Sequence, residues 1–228
     1  MKKLFTYFSK KELILWSVSI IFIVVSFCIF DRESYLTLVA SLIGVTSLIF
    51  NAKGNPVGQA LMVAFSLLYG MISYTFSYYG EMITYLGMTM PMAVFALITW
   101  LKHPYKGNRA EVKVNSIGKT EQLLMWSLSL IVTAVFYFIL KHFHTASILP
   151  STISVTTSFL AVYLTLRRCP AFALAYAAND IVLIVLWTLA SFSEIRYISV
   201  VVCFTAFLFY DIYGYRSWQR IQRRQSQS

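Results

Sequence analysis

Residues 171–190 read AFALAYAANDIVLIVLWTLA. At 1.5 Å per residue this run makes a helix of about 30 Å, the thickness of a bilayer core. Apart from Asn179, Asp180 and Thr188, every side chain in it is apolar or aromatic, so it reads as a membrane span. A carboxylate at the centre of such a helix costs about 2.5–3.5 kcal/mol on insertion. Lipid cannot offset that, so Asp180 must face a polar cavity or a partner. Tyr176, Asp180 and Trp187 follow an i, i+4, i+11 spacing and share a helical face, with Asn179 beside it. A buried clamp between helices is one reading. A substrate site is the stronger one, because a carboxylate next to an amide and aromatic rings exceeds what holding two helices together requires.

The rest of the chain agrees with a membrane setting. Of its 228 residues, 58% are hydrophobic and 12% charged, against about 45–50% and 25% in soluble domains. Apolar runs cover roughly 12–30, 35–50, 57–78, 82–101, 122–140, 151–166, 171–190 and 197–214. The first is too long for a signal-peptide core and is followed by Asp31-Arg32-Glu33 rather than a small-residue cleavage site. Little length is left for a soluble catalytic domain. The net charge of +10 would suggest nucleic acid in a soluble protein, but here the cations sit in short loops. Sixteen of the nineteen Lys and Arg fall in segments on the side of the N-terminus, and only Arg32, Lys141 and Arg196 on the other. That asymmetry predicts eight spans with both termini cytoplasmic. Cys28, Cys169 and Cys203 are far apart and suggest neither a disulfide framework nor a zinc site.

An internal repeat emerges when loops are aligned. Residues 35–101 run helix, short turn with Pro56, helix, short turn, helix, ending near Trp100. Residues 151–218 repeat that order, with Pro170 and Trp218. Three helices invert the chain and the single helix between the triplets inverts it back, so the triplets are parallel, as in SWEET-type carriers. The expected fold is therefore an all-α integral membrane protein of eight transmembrane helices, two parallel three-helix repeats joined by a linker helix plus an extra N-terminal helix. The divisions are 1–34 (N-terminal helix), 35–101 (first repeat), 102–150 (cytoplasmic loop and linker helix), 151–215 (second repeat) and 216–228 (basic cytoplasmic tail).

Further polar residues extend the candidate substrate site. Asp211 lies about one turn inside the end of the last run, among Tyr210, Tyr213 and Tyr215. It either pairs with Arg216 or water at the interface or contributes to the site with Tyr215. Gln59 and Tyr69 are the corresponding features of the first triplet, and Glu81 is expected at the outer surface. His142 and His144 occupy a loop with no carboxylate nearby in sequence, so no metal is expected. No Walker A, G-x-S-x-G or H-E-x-x-H motif occurs. The predicted role is a solute carrier rather than an enzyme, with no cofactor and no nucleic acid partner. A membrane enzyme would need a nucleophile and base on facing helices, and the histidines are all in loops. A non-transporting scaffold would have no need of Asp180.

Three stretches are similar to the PnuC family of vitamin-precursor transporters: Gly80-Glu81-Met82, Ala177-Ala178-Asn179-Asp180, and Asp211-Ile212-Tyr213-Gly214 followed by Trp218. The resemblance runs from about Tyr35 to Trp218. It implies a SWEET-like fold, often trimeric, in a bacterial inner membrane, carrying nicotinamide riboside inward by facilitated diffusion to supply NAD biosynthesis. Relatives carry thiamine or other nucleosides. It also implies a mid-membrane site built from aromatic and amide side chains. Asn179 matches the family's asparagine, whereas Ala175 and Phe172 stand where tryptophans are common, and Asp180 and Asp211 add carboxylates. Nicotinamide riboside and thiamine both carry a cationic aromatic ring. Such a ring gains about 0.5–2 kcal/mol over the face of Tyr176 or Trp187 and is neutralised by Asp180.

Overall fold

The computed structural model describes residues 7–76, 78–145 and 147–227. Its elements in chain order are α1 (Lys10–Phe30), α2 (Tyr35–Asn51), α3 (Pro56–Thr75), α4 (Tyr79–Thr84), a π-helical turn (Tyr85–Thr89), α5 (Met90–Lys102), β1 (Pro104–Tyr105), β2 (Asn108–Val112), α6 (Lys119–His142), α7 (Ile148–Leu166), α8 (Phe172–Ser191) and α9 (Ile198–Ser226). The stretch from α4 to α5 is one continuous 24-residue span. Among the described residues, seven helical spans are long and apolar enough to cross a membrane, and the 17-residue α2 is a shorter apolar helix.

Local sequence explains the ends and the irregularity. Ser9 and Glu12 form a capping box at the start of α1, with the Glu12 amide donating to Ser9 Oγ and the Ser9 amide to Glu12 Oε2. Asn55 caps α3 by accepting from the Val57 amide, and Pro56 occupies the first helical position. Pro91 has no N–H for the carbonyl four residues back, and its ring crowds that carbonyl. The turn before it widens, and the Met90 amide reaches back five residues to Tyr85.

Large apolar side chains cover the outside of the bundle, among them Ile21 on α1, Leu130 and Phe138 on α6, and Phe209 on α9. Such a surface suits lipid and not water. Inside, small and hydroxyl-bearing residues let the helices approach. Ser41, Gly44 and Ser47 of α2 are examples, and a Cβ on Gly44 would lie 2.3 Å from the Phe207 ring.

Both ends of the chain meet at one end of the bundle. Glu12 accepts from Lys53 Nζ at 3.3 Å and from the Tyr213 hydroxyl at 2.8 Å, joining α1 to the α2–α3 turn and to α9. This is the end that carries most of the cations; Lys2 and Lys3, counted in the charge asymmetry, lie outside the described residues. Two tryptophans close it reciprocally. Trp100, at the end of α5, donates to the Thr165 carbonyl near the end of α7 at 3.0 Å. Trp218 of α9 donates to the Asn51 carbonyl at the end of α2 at 2.7 Å. Their rings meet at 5.3 Å.

Two features add to the expected bundle. The all-α class holds for the bundle, and between two of its helices residues 104–112 form an antiparallel hairpin whose tight turn places Lys106 and Gly107 at φ 47° and 80°. The hairpin strand is bound to the bundle: the Val112 amide donates to Gly54 O, Val114 to Gln225 Oε1, and Asn115 to Arg168 O. The last helix runs on past its apolar stretch, through the basic tail to Ser226, because no proline or turn signal interrupts it. The buried Trp218 and the Arg224–Glu111 and Gln225–Glu111 contacts hold its extension against the hairpin.

Candidate functional site

The seventh apolar run became α8, and its central polar pair is buried, with Asn179 2% and Asp180 3% exposed. Asn179 is fixed first. Its Oδ1 accepts from Thr157 Oγ1 at 2.8 Å, Ser158 Oγ at 3.0 Å and Ser154 Oγ at 3.3 Å. These three hydroxyls form one face of α7. Three donors on one oxygen also fix which way the amide points, and they leave its nitrogen to meet whatever enters the cavity.

Asp180, one position on, meets Asp211 of α9 across the helix interface, both carboxyls lining one cavity. Asp211 is 4% exposed. Asp180 Oδ2 is buried and has no hydrogen-bond partner. Asp211 turns inward to this cavity rather than outward to Arg216 or interfacial water.

A cavity opens beside this pair. Leu48 of α2, Met62 and Phe65 of α3, Tyr85 and Thr89 of the π turn, Tyr176 of α8 and Phe204 and Phe207 of α9 complete its wall. Elements of both halves of the chain contribute, and no Lys, Arg or His does. The cavity measures about 20 Å³, room for about one water, whereas small-molecule sites span about 300–1,000 Å³. The bundle is thus closed around the site. On the side of the basic end, Phe172 packs on Trp218 at 4.9 Å and edge-on to Tyr176 at 6.2 Å. On the other side, Tyr69 packs on Tyr85 at 4.3 Å and receives a 2.7 Å hydrogen bond from Trp187 Nε1. Trp187 is itself covered by Tyr78 and Tyr197 at 4.7 and 5.4 Å. A larger cavity of about 370 Å³ lies at the basic end, around Glu12, Lys53 and Arg220, away from the carboxyl pair.

The expected site residues therefore separate into groups. Asn179, Asp180, Asp211 and Tyr176 meet at the cavity. Tyr69 and Trp187 roof it without lining it. Tyr215 lies one turn beyond Asp211, packed with the Trp100–Trp218 cluster. Gln59 is a helix clamp, donating from Nε2 to Asn51 Oδ1 at 2.9 Å. Glu81, expected at the outer surface, is instead 1% exposed and sits beside Ser154, because the α4 start tucks under α6 and α7 rather than projecting past them. The hydroxyl face of α7 was not singled out from the sequence, although Ser154, Thr157 and Ser158 recur at i, i+3, i+4 in an otherwise apolar run.

Known proteins agree with this architecture. A crystal structure of the vitamin B3 transporter PnuC has the same fold, with a TM-score of 0.82, 24% identity, and coverage of 96% of this chain and 94% of that one. The nicotinamide riboside transporter PnuC of Neisseria mucosa is 29% identical over 203 residues, 87% of this chain and 77% of that protein. Residues 34–220 match the nicotinamide mononucleotide transporter family, and with most of its length so matched, this membrane-spanning chain belongs to that family.

Proposed function

We propose that the chain is a membrane transporter, not an enzyme, that carries nicotinamide riboside through the closed site between its two triplets. The observation that carries the reading is the two carboxyls of Asp180 and Asp211 beside the amide nitrogen of Asn179, in an aromatic cavity lined by no basic side chain among the described residues. A pyridinium ring gains there from the carboxyls and from the face of Tyr176. A phosphate meets the same carboxyls with no Lys or Arg to hold it, so the riboside rather than the mononucleotide is the substrate, as for the Neisseria relative. Thiamine is the second reading, favoured by the same carboxyls because its thiazolium is also cationic.

The site residues in this reading are Asn179, Asp180, Asp211 and Tyr176, with Tyr69 and Trp187 as the outer gate and Phe172 and Trp218 as the inner one. The 35–101 and 151–215 segments act as parallel repeats about an axis along the membrane normal, with 1–34 as an added helix and 102–150 joining them. The reciprocal Trp100 and Trp218 bonds support that symmetry. Eight spans, cytoplasmic termini, a bacterial inner membrane and a homo-oligomer, a trimer in the family resemblance, complete the reading. Calorimetry on purified protein with nicotinamide riboside, its mononucleotide, thiamine and deoxynucleosides tests it. The riboside should bind and the mononucleotide should not. Equal affinity for the two would overturn the substrate assignment.

A further inference from the structure

We infer that Thr89, held in place by the π-helical turn, is a specificity-determining residue of the mid-membrane site: its hydroxyl binds a sugar hydroxyl of the substrate, so the site selects a cationic ring that carries a ribosyl group. The inference rests on the substrate reading above and deepens it, because thiamine has the cation without the sugar.

A threonine inside a helix has a ready acceptor for its hydroxyl, the carbonyl four residues back. Thr46, Thr84, Thr133, Thr165 and Thr205 all use it, donating to the carbonyls of Leu42, Gly80, Ser129, Ala161 and Val201 at 2.7–2.9 Å. Thr89 does not. Four residues before it stands Tyr85, the first residue of the π turn, whose carbonyl takes the Met90 amide. The widened turn that Pro91 imposes moves the Thr89 hydroxyl off that carbonyl. Thr89 is 3% exposed, and its Oγ1 is buried with no hydrogen-bond partner among the described residues. A single π turn within an α-helix is a frequent mark of a functional site, and here its effect is to set one hydroxyl free.

That hydroxyl faces the site. Thr89 lines the same cavity as Asp180 and Asp211. Among the described residues of that wall, Asp180 and Thr89 are the two with a buried, unpartnered side-chain oxygen. A buried polar atom without a partner is unfavourable, and a ligand that supplies the partner removes the penalty. The two oxygens suit different parts of one molecule. Asp180 can carry a negative charge and suits the pyridinium. Thr89 is neutral and both donates and accepts. A sugar hydroxyl also does both, whereas a pyridinium ring does neither. The π turn packs against α7, whose Ser158 enters the same cavity but is engaged with Asn179 Oδ1. Asn179, with that oxygen filled, presents its N–H donors and suits the carbonyl of a ring carboxamide. The sugar then falls to Thr89. A site built to bond a substrate hydroxyl rejects an analogue that lacks it, because its own buried group is left unpaired. Phe65, Phe204 and Phe207, also in the wall, have no polar atom that could substitute.

The test is calorimetry on the purified full-length protein with nicotinamide riboside and its 2′-, 3′- and 5′-deoxy analogues, which share the cationic ring. In the wild type, one of the deoxy analogues should bind about three- to tenfold more weakly than the riboside, the worth of one neutral hydrogen bond. Thr89→Val keeps the shape and removes the hydroxyl. In that variant the riboside should weaken by a similar factor, and the same deoxy analogue should bind no worse than the riboside. Thr89→Ser, which keeps the hydroxyl, should restore the wild-type ranking. The melting temperature of Thr89→Val should not fall, since the change removes an unpaired oxygen and not a bond. A wild type that binds all three deoxy analogues as tightly as the riboside overturns the inference, whatever the variants do. A deoxy penalty that persists at full size in Thr89→Val overturns it too, because the sugar then bonds another residue. So does a Thr89→Val protein that melts earlier and weakens the riboside and every analogue alike, which would make Thr89 part of the packing only. Absence of riboside binding in the wild type would instead remove the substrate reading on which the inference rests.

Discussion

Trp187 and Tyr69 stand 118 positions apart in the chain and hydrogen-bond to each other, the indole Nε1 donating to the phenol oxygen at 2.7 Å. Trp100 and Trp218, whose rings also touch, are separated by the same interval. One contact thus joins α3 to α8 on one side of the carboxyl pair, and the other joins the ends of α5 and α9 on the opposite side. In the transport reading, opening the site to either side must separate one of these contacts, which is what a site closed on both sides requires of its gates.

The upper contact is the first to test. Tyr69→Phe keeps the ring packing and removes the acceptor for a buried indole N–H. The closed outer gate should lose about 1 kcal/mol, roughly a fivefold shift in a local opening equilibrium. Cys203 lies buried just beneath Tyr69 and Phe204 and reports such opening. With Cys28 replaced by serine, maleimide should modify Cys203 several-fold faster in Tyr69→Phe than in the parent. An unchanged rate would mean that this hydrogen bond does not hold the gate.

The lower contact should behave as one unit. Trp100→Phe and Trp218→Phe each remove one of the two donors to a buried carbonyl, of Thr165 or Asn51, which keeps the amide of Arg168 or Gly54, at a cost of about 0.5–1.5 kcal/mol. Because the two rings are in contact, the double variant should depart from the sum of the singles by about 0.5 kcal/mol or more. Thermal melts of the four proteins in one detergent measure this, and strict additivity would argue against a shared lower gate.

Gly58 tests the clamp that Gln59 makes with Asn51 between α3 and α2. A Cβ there would lie 2.2 Å from Asn51 Oδ1 and 2.6 Å from its backbone nitrogen, so Gly58→Ala must push α3 off α2 and break the Gln59–Asn51 bond. A loss of about 1–3 kcal/mol is expected, visible as a lowered melting temperature. Gln59→Glu, in contrast, should lower stability without selectively affecting charged ligands, since Gln59 lies outside the cavity.

What the sequence makes legible follows from what helical periodicity can and cannot carry. Asn179 and Asp180 announce themselves because a carboxylate in an apolar run has a cost that demands an explanation. The same periodicity puts Trp187 on the face of Asp180, but a face says nothing about depth, and two turns separate the roof from the site. Asp211 is visible as an oddity, yet its partner lies on another helix, and pairing across helices has no signature in a single sequence. Glu81 is misjudged for a related reason: a turn between spans reads as surface unless a neighbouring helix end covers it. The hairpin at 104–112 is short and polar, and its one signal is the Lys106-Gly107 pair at positive φ. Glu12 was legible in principle, since Ser9-x-x-Glu12 is a capping box, but its bonds to Lys53 and Tyr213 are tertiary.

Orientation is checked by labelling. On a cysteine-free background, a cysteine at Ser193, in the turn after α8, should react with an impermeant maleimide applied to intact cells. One at Gln225, beside the hairpin, should react only after permeabilisation. The reverse pattern would invert the topology that the loop cations imply.

Asp180→Asn separates a substrate site from a helix clamp. The amide is cheaper to bury than a carboxyl that must ionise, and it can still donate to Asp211, so the fold should survive with a melting temperature close to the parent's. Nicotinamide riboside should bind more weakly by about 1–3 kcal/mol, roughly 5- to 150-fold, because a partly desolvated charge pair is lost. The reduced riboside has the same shape without the charge, and its affinity should change far less. If Asp180 serves only to hold α8 against α9, the variant should melt earlier and lose both ligands alike, since a loosened interface does not discriminate charge. Melting temperature and both affinities should be measured on one preparation. A lowered melting temperature with unchanged riboside affinity would remove Asp180 from the substrate site, whereas an intact fold with a selective loss for the charged ligand would place the carboxyl against the ring.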